Sequence, residues 1–239
     1  MPLPAGLPTP PIAAGSHVMH FLYLHGFASS PGSSKATFLA ERFAARGLRL
    51  DCPNFNLPDF STLTISRMLQ QLETRIAALP SGPVVLIGSS LGGFVAVEAA
   101  ARQVSRARPP ISWMVLLAPA VELEWERWTE IGPGGIERWR KAGEIDVFHY
   151  ADDRLRSLRF SFYEDALRYH PAARRLDLPM LVFQGRGDES VDPAIVERFV
   201  GAQPRAALHL LEDDHQLRGS LELIWHETAR FLLTAQEAS

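Results

Sequence analysis

The segment Val84-Val85-Leu86-Ile87-Gly88-Ser89-Ser90-Leu91-Gly92-Gly93 offers a nucleophile. An apolar run feeds into G-x-S-x-G and then into an alanine-rich helical stretch. In a nucleophile elbow the serine sits on a sharp strand-to-helix turn, and its neighbours two residues away must be small enough for strand and helix to meet. Gly88 and Gly92 flank Ser90 at those positions, whereas Ser89 would have Ile87 and Leu91 there. Ser90 is therefore the expected nucleophile and Ser89 is not. The amide of Leu91, at the start of the helix, would face a developing oxyanion. A dinucleotide loop fits poorly, because Gly88-x-Ser90-x-x-Gly93 lacks the middle glycine. A phosphate loop fails because no lysine follows Gly93.

A serine hydroxyl needs a base to take its proton, and the base needs an orienting acid. On this kind of scaffold they follow in the order serine, acid, histidine. The run 180–183 leads into Gln184-Gly185-Arg186-Gly187-Asp188-Glu189-Ser190-Val191-Asp192, which puts Asp188 on a loop after a strand. Glu189 and Asp192 are rivals, Asp192 being better used as a helix cap; Glu122 and Glu124 are further candidates. The run 207–211 is followed by Glu212-Asp213-Asp214-His215, so His215 is the expected base. His209 falls within a strand, His226 within a helix, and His170 before Pro171; these read as structural or surface histidines. The second oxyanion donor belongs on the loop after the first strand, His25-Gly26-Phe27-Ala28-Ser29-Ser30-Pro31. The Phe27 amide is the candidate, and His25 is read as shaping that loop. No His-x-x-x-His or paired cysteine suggests a metal, and no cofactor is called for. Cys52 is the single cysteine; it reads as a small buried hydrophobe, allows no internal disulfide and fits a reducing, cytoplasmic setting.

These side chains need a scaffold. Six short apolar runs, 18–24, 48–52, 84–87, 113–117, 180–183 and 207–211, end in Gly, Pro or acidic residues, and most are continuous rather than alternating. Strands buried on both faces look like this, which implies a mainly parallel sheet of about six strands. Between them lie helical patterns: 35–46 closed by Gly47, then Ile65, Met68, Leu69, Leu72, Ile76 and Leu79 at 3-and-4 spacing, and 91–101. A helix capped by Asp192 with Pro193 at its first turn and a last helix over 217–233 complete the set. The alternation predicts a doubly wound α/β domain over 18–239, the α/β-hydrolase fold. Residues 1–17, rich in Pro, Ala and Gly, read as a flexible arm without the basic and apolar regions of a secretory signal.

One stretch interrupts the alternation. Residues 121–178 hold Trp125, Trp128, Trp139, Phe148, Phe160 and Phe162 among many charges, and a structureless loop of that length is unusual. The expectation is a helical cap insert, with Trp125, Trp128 and Phe162 lining an apolar acyl pocket; simple packing on the sheet edge is the alternative. The net charge of −3 and the scattered arginines argue against nucleic acid or an anionic membrane as partner. No apolar run reaches the roughly 18 residues of a membrane span.

Several blocks also resemble the small bacterial esterases of the YqiA type within the α/β-hydrolase superfamily. These are Tyr23-Leu24-His25-Gly26-Phe27-Ala28-Ser29-Ser30-Pro31-Gly32-Ser33-Ser34-Lys35-Ala36, Leu86-Ile87-Gly88-Ser89-Ser90-Leu91-Gly92-Gly93-Phe94, Ala118-Pro119-Ala120 and 187–192. The resemblance implies hydrolysis of carboxylic esters by a triad of Ser90, Asp188 and His215. Asp213-Asp214-His215 stands where that family tends to have Gly-Asn-His. The expected function is an acyl hydrolase working on a small-molecule ester or thioester through an acyl-enzyme. C–C or peptide-bond hydrolysis on the same triad, or a non-catalytic binding protein on a hydrolase scaffold, are the alternatives.

Overall fold

A computed structural model describes residues 19–103, 111–125, 128, 131 and 134–237. The arm over 1–17, Val18 of the first apolar run and part of the 121–178 insert lie outside the described residues. All six apolar runs contribute strands: β1 His20–Leu24, β2 Leu50–Asp51, β3 Val84–Ser89, β4 Ile111–Leu117, β7 Met180–Gly185 and β8 Ala206–Leu211. They form one sheet in the order β2-β1-β3-β4-β7-β8, and every neighbouring pair is parallel. The helices between them are α1 Ser34–Ala44, α2 Ile65–Ala77, α3 Leu91–Gln103, α6 Pro193–Gly201 and α7 Leu221–Glu237.

The period of two along each strand divides the core. Leu22, Leu24, Leu86, Met114, Leu116 and Val182 point to one face, where they meet α2, α3 and α6. Phe21, Tyr23, Val85, Ile87, Val115 and Phe183 point to the other, where they meet α1 and α7. Two covered faces explain why the strands read as continuous apolar runs. Local chemistry sets the helix starts. Ser33 Oγ accepts from the amide of Ala36, Thr64 Oγ1 from that of Arg67, and Asp192 Oδ1 from that of Ala194, with Pro193 opening α6. The last helix begins later than the pattern suggests, because 217–220 form a turn with Leu217 at φ +54°.

The insert is helical only in part. It carries α4 Gly135–Ala142, an antiparallel hairpin of β5 Glu144–His149 and β6 Arg154–Arg159, α5 Ser161–Ala166 and a 3-10 turn at Pro171–Ala173. In β5 the inward residues Ile145, Val147 and His149 alternate with the exposed Glu144, Asp146 and Phe148, which is a strand period. An all-helical expectation overlooks that alternation among the charges. The hairpin is anchored by Trp139 of α4, fully buried, whose Nε1 donates to Leu158 O of β6 at 3.1 Å. The insert is tied to α2 where the Asp165 carboxylate accepts from the amide and hydroxyl of Ser66.

Trp139→Ala removes a whole buried indole and its hydrogen bond. The expected cost is about 3–5 kcal/mol, read as a lowered urea midpoint. An unchanged midpoint would contradict the anchoring role.

Candidate active site

Ser90 stands between β3 and α3 with φ +51°, a left-handed conformation costly for a residue with a side chain. Close packing holds it there. A Cβ on Gly88 would lie 2.6 Å from Gly92 O, and one on Gly92 would lie 1.9 Å from Leu24 O. No side chain fits at either place, so strand and helix meet only because both residues are glycine. A Cβ on Gly93 would press on Pro119 Cβ at 2.7 Å, a third close contact that the G-x-S-x-G reading does not include. Strand β4 pins the turn. Ser90 N donates to Leu117 O at 3.0 Å, and Ser90 O accepts from Gly93 N and Ala120 N. Ser89, by contrast, is buried.

The downstream loops deliver their residues to Ser90. His215 Nε2 lies 3.1 Å from Ser90 Oγ, and His215 Nδ1 lies 2.8 Å from Asp188 Oδ2. With Nδ1–H donating to the carboxylate, Nε2 is left to accept the serine proton. Asp188 is buried and well held: Oδ1 accepts from the amides of Ser190 and Val191 at 2.9 and 2.8 Å, and Oδ2 also accepts from Gln184 Nε2 at 2.8 Å. Burial pushes its carboxyl pKa up, but the hydrogen bond and charge of His215, the Val191 amide and Gln184 outweigh that and hold it below the ordinary value. The rivals stand elsewhere: Glu189 is exposed, Asp192 caps α6, Glu122 is exposed, and Glu124 Oε2 accepts from Asp192 N.

Gln184 has no role in the sequence reading. Its signal was there, a polar residue continuing the apolar run 180–183 into the sheet interior. Gly185 is a second such residue. A Cβ there would meet Asp213 O at 2.5 Å and Asp214 O at 2.6 Å, so the loops bearing Asp188 and His215 touch through backbone. Arg186 N donating to Leu211 O and Gly187 N to Asp213 O close the same seam.

The loop after β1 lies against Ser90: a Cβ on Gly26 would stand 3.3 Å from Ser90 Cβ. His25 shapes it. Burial pulls the His25 pKa down to about 4, and the neutral ring bonds on both sides, Nδ1 donating to Gly26 O and Nε2 accepting from Phe55 N. The Phe27 amide makes no backbone hydrogen bond among the described residues. Leu91, as the first residue of α3, has no intrahelical carbonyl to reach. Above them the Phe27 ring packs on Phe60, Trp128 and Phe162 at centroid distances of 5.6, 4.9 and 5.6 Å.

The three aromatic residues read as pocket lining pack on one another, with ring centroids 5.0 Å apart for Trp125 and Trp128, 6.2 Å for Trp125 and Phe162, and 5.9 Å for Trp128 and Phe162, but they differ in what they line. Phe162 is fully buried and packs on the Phe27 ring. Trp128 covers the Phe27 ring. Trp125 lines a cavity of about 430 Å³ together with Phe94, Val121, Leu123, Leu167 and Tyr169, while Ser90, Asp188 and His215 are not on its wall. Cys52 is half-buried, and burial pushes its thiol up to about 12, which leaves it unreactive. Among the described residues no helix is long and apolar enough to cross a membrane.

The model of Uncharacterised protein family UPF0227 matches residues 20–229. Solved structures give the fold. Est1E from Butyrivibrio proteoclasticus, with ferulic acid bound, superposes with a TM-score of 0.75 at 20% identity, covering 93% of this chain and 91% of that one. Mouse alpha/beta hydrolase domain-containing protein 10 gives 0.69 at 17% identity, with 90% of each chain covered. An esterase of Pyrococcus furiosus gives 0.62 at 18% identity, covering 92% of this chain and 84% of that one. A search of curated protein sequences finds no match. The architecture is thus the α/β-hydrolase fold, and the resemblance to YqiA-type proteins read from the sequence is borne out.

The depressed pKa of Asp188 makes stability depend on pH. The ionised, hydrogen-bonded carboxylate stabilises the folded state above the ordinary aspartate value of about 3.9, and this is lost as pH falls through the lower folded value. Asp188→Asn should be less stable than the parent by about 1–3 kcal/mol at pH 7. The gap in urea midpoint should begin to narrow below about pH 4, where the unfolded chain takes up its proton, and narrow further as the folded carboxyl follows at lower pH. A gap constant from pH 7 to 3 would contradict the assignment of charge.

Proposed function

Because the chain belongs to Uncharacterised protein family UPF0227 and has the α/β-hydrolase fold, we propose that it is a serine hydrolase acting on small carboxylic esters, thioesters included. The observation that carries this reading is the hydrogen-bond chain Ser90–His215–Asp188, at 3.1 and 2.8 Å. A binding protein has no use for a strained serine, a base within reach and a buried, ionised acid behind it. The chemistry follows from the geometry. Ser90 Oγ attacks the ester carbonyl carbon while His215 Nε2 takes its proton. Asp188 holds the Nδ1–H tautomer and favours the imidazolium that forms. The amides of Phe27 and Leu91 receive the oxyanion. The imidazolium then protonates the leaving alcohol, and the acyl-enzyme forms. Water, activated by the same histidine, releases the acid and restores Ser90. No step calls for a cofactor.

The insert over 121–178 acts in this reading as a cap. Trp128 and Phe162 fix the Phe27 side chain, and with it the loop that bears the oxyanion amide. The acyl group is placed toward the Trp125-lined cavity, whose wall includes Phe94, one helical turn from Ser90, and Val121, next to the Ala120 amide that bonds Ser90 O. We place the activity in the cytoplasm, the single cysteine fitting a reducing compartment.

A fluorophosphonate probe should label the protein at Ser90, and Ser90→Ala should abolish labelling and p-nitrophenyl ester turnover together. His215→Ala should lower turnover by roughly 10³-fold or more. Labelling that persists in Ser90→Ala sinks the hydrolase reading; full activity in His215→Ala means another residue is the base. Among p-nitrophenyl esters, chains of about six to eight carbons should be preferred over acetate, since a cavity of this size takes a short acyl chain. A clear preference for acetate would place the acyl group outside that cavity.

A further inference from the structure

Lys35 is a lysine where two general rules disfavour one. It is the second residue of α1, so its cation faces the positive end of the helix dipole. It is also only 7% exposed, and burying an ammonium sacrifices its hydration. Burial pulls its pKa down to about 8; the negative charges of Asp188, Asp214 and Asp213 oppose that fall, and Arg218 adds to it. A residue that breaks local rules is expected where function needs it.

Its hydrogen bonds show what it holds. Nζ donates to His215 O at 3.2 Å and to Gln216 O at 3.1 Å. The rest of the base loop is fixed from other sides. Gly187 N donates to Asp213 O, Ser220 Oγ to Asp213 Oδ2, Gln216 N to Asp214 Oδ1, and Leu217 N to Asp214 O. None of these bonds reaches the carbonyls of His215 and Gln216; among the described residues only Lys35 bonds them. The lysine arrives from the opposite wall of the site. Helix α1 continues directly from the loop bearing Gly26 and Phe27, so one side chain ties the oxyanion side to the base.

We propose that Lys35 is a positioning residue for the base: its ammonium clamps the His215–Gln216 backbone to α1 and so holds the imidazole against Ser90. This rests on the reading of Ser90 and His215 as nucleophile and base. Lys35 touches no reacting atom, and its effect passes through His215. The charged groups around it are Asp188 on the acid loop, Asp213 and Asp214 on the base loop, and Arg218 just beyond. Three carboxylates against one guanidinium keep the ammonium charged at neutral pH.

The test is the rate of Ser90 phosphonylation as a function of pH, below pH 7.5, for the parent, Lys35→Met and Lys35→Arg. Lys35→Met keeps the aliphatic stem and loses both donors. Its plateau rate should fall roughly 10- to 100-fold, the scale of a misplaced catalytic group. Lys35→Arg, which keeps the charge and the donors, should recover most of the plateau. A parental plateau in Lys35→Met overturns the clamp, and so does a lowered plateau that Lys35→Arg does not restore, which marks packing alone. Should Lys35→Met not fold, Lys35→Gln must show a lowered plateau that Lys35→Arg does not. A parent that is not labelled at all brings down the serine-hydrolase reading first and the clamp with it, so the two failures are distinguishable.

Discussion

Helix α3 lies so close to the sheet that a methyl group on Gly92 would overlap the carbonyl oxygen of Leu24, at 1.9 Å. Much of the molecule follows from that approach. The helix cannot meet β1 and β3 there unless the connecting turn is sharp, and a sharp turn forces Ser90 to positive φ. In that conformation its hydroxyl stands at the carboxyl edge of the sheet. The sheet order places it well. β1 leads through α1 on one face to β2, whereas β3 leads through α3 on the other face to β4. Between β1 and β3 the chain reverses its winding, the place where open α/β sheets leave a crevice at their carboxyl ends. The loops after β1, β7 and β8 end at the same edge and bring Phe27, Asp188 and His215 together with Ser90.

The charges at that edge depend on one another. Asp188 stays ionised in a buried place because backbone amides, Gln184 and His215 all donate to it. A buried carboxylate without those donors would sooner take up a proton. The neutral His25 on the facing wall adds no charge and serves as a two-sided spacer. The aromatic cluster of Phe27, Phe60, Trp128 and Phe162 covers the loop after β1 with apolar surface, which strengthens polar interactions beneath it. Polar contacts of this kind need their shell complete, and here it is drawn from four separate loops.

Much of this was legible in the sequence, for physical reasons. Strands covered on both faces must be apolar throughout, so Val84–Ser89 and Met180–Gly185 stand out as runs. The choice of Ser90 over Ser89 follows from glycine spacing alone, and the close contacts of Gly88 and Gly92 show why. What the sequence hid falls into two kinds. The hairpin in the insert carries its period-two pattern in Ile145, Val147 and His149, but charged and aromatic neighbours mask it. Gly185 and Lys35 act through contacts 28 to 181 positions apart along the chain, and no local pattern reports such a contact. The three proposed lining aromatics illustrate the same limit. Composition places Trp125, Trp128 and Phe162 in one segment, but only tertiary packing sends Trp125 to a cavity and Phe162 into the interior.

The central claim is that Ser90 becomes covalently acylated. Intact-mass and peptide mass spectrometry of the protein, acid-quenched while it turns over a slowly deacylating ester, tests it most directly. The account predicts one acyl group per chain, on the peptide containing Ser90. An acyl group on another residue, or turnover with no adduct under conditions where deacylation is slow, would contradict it.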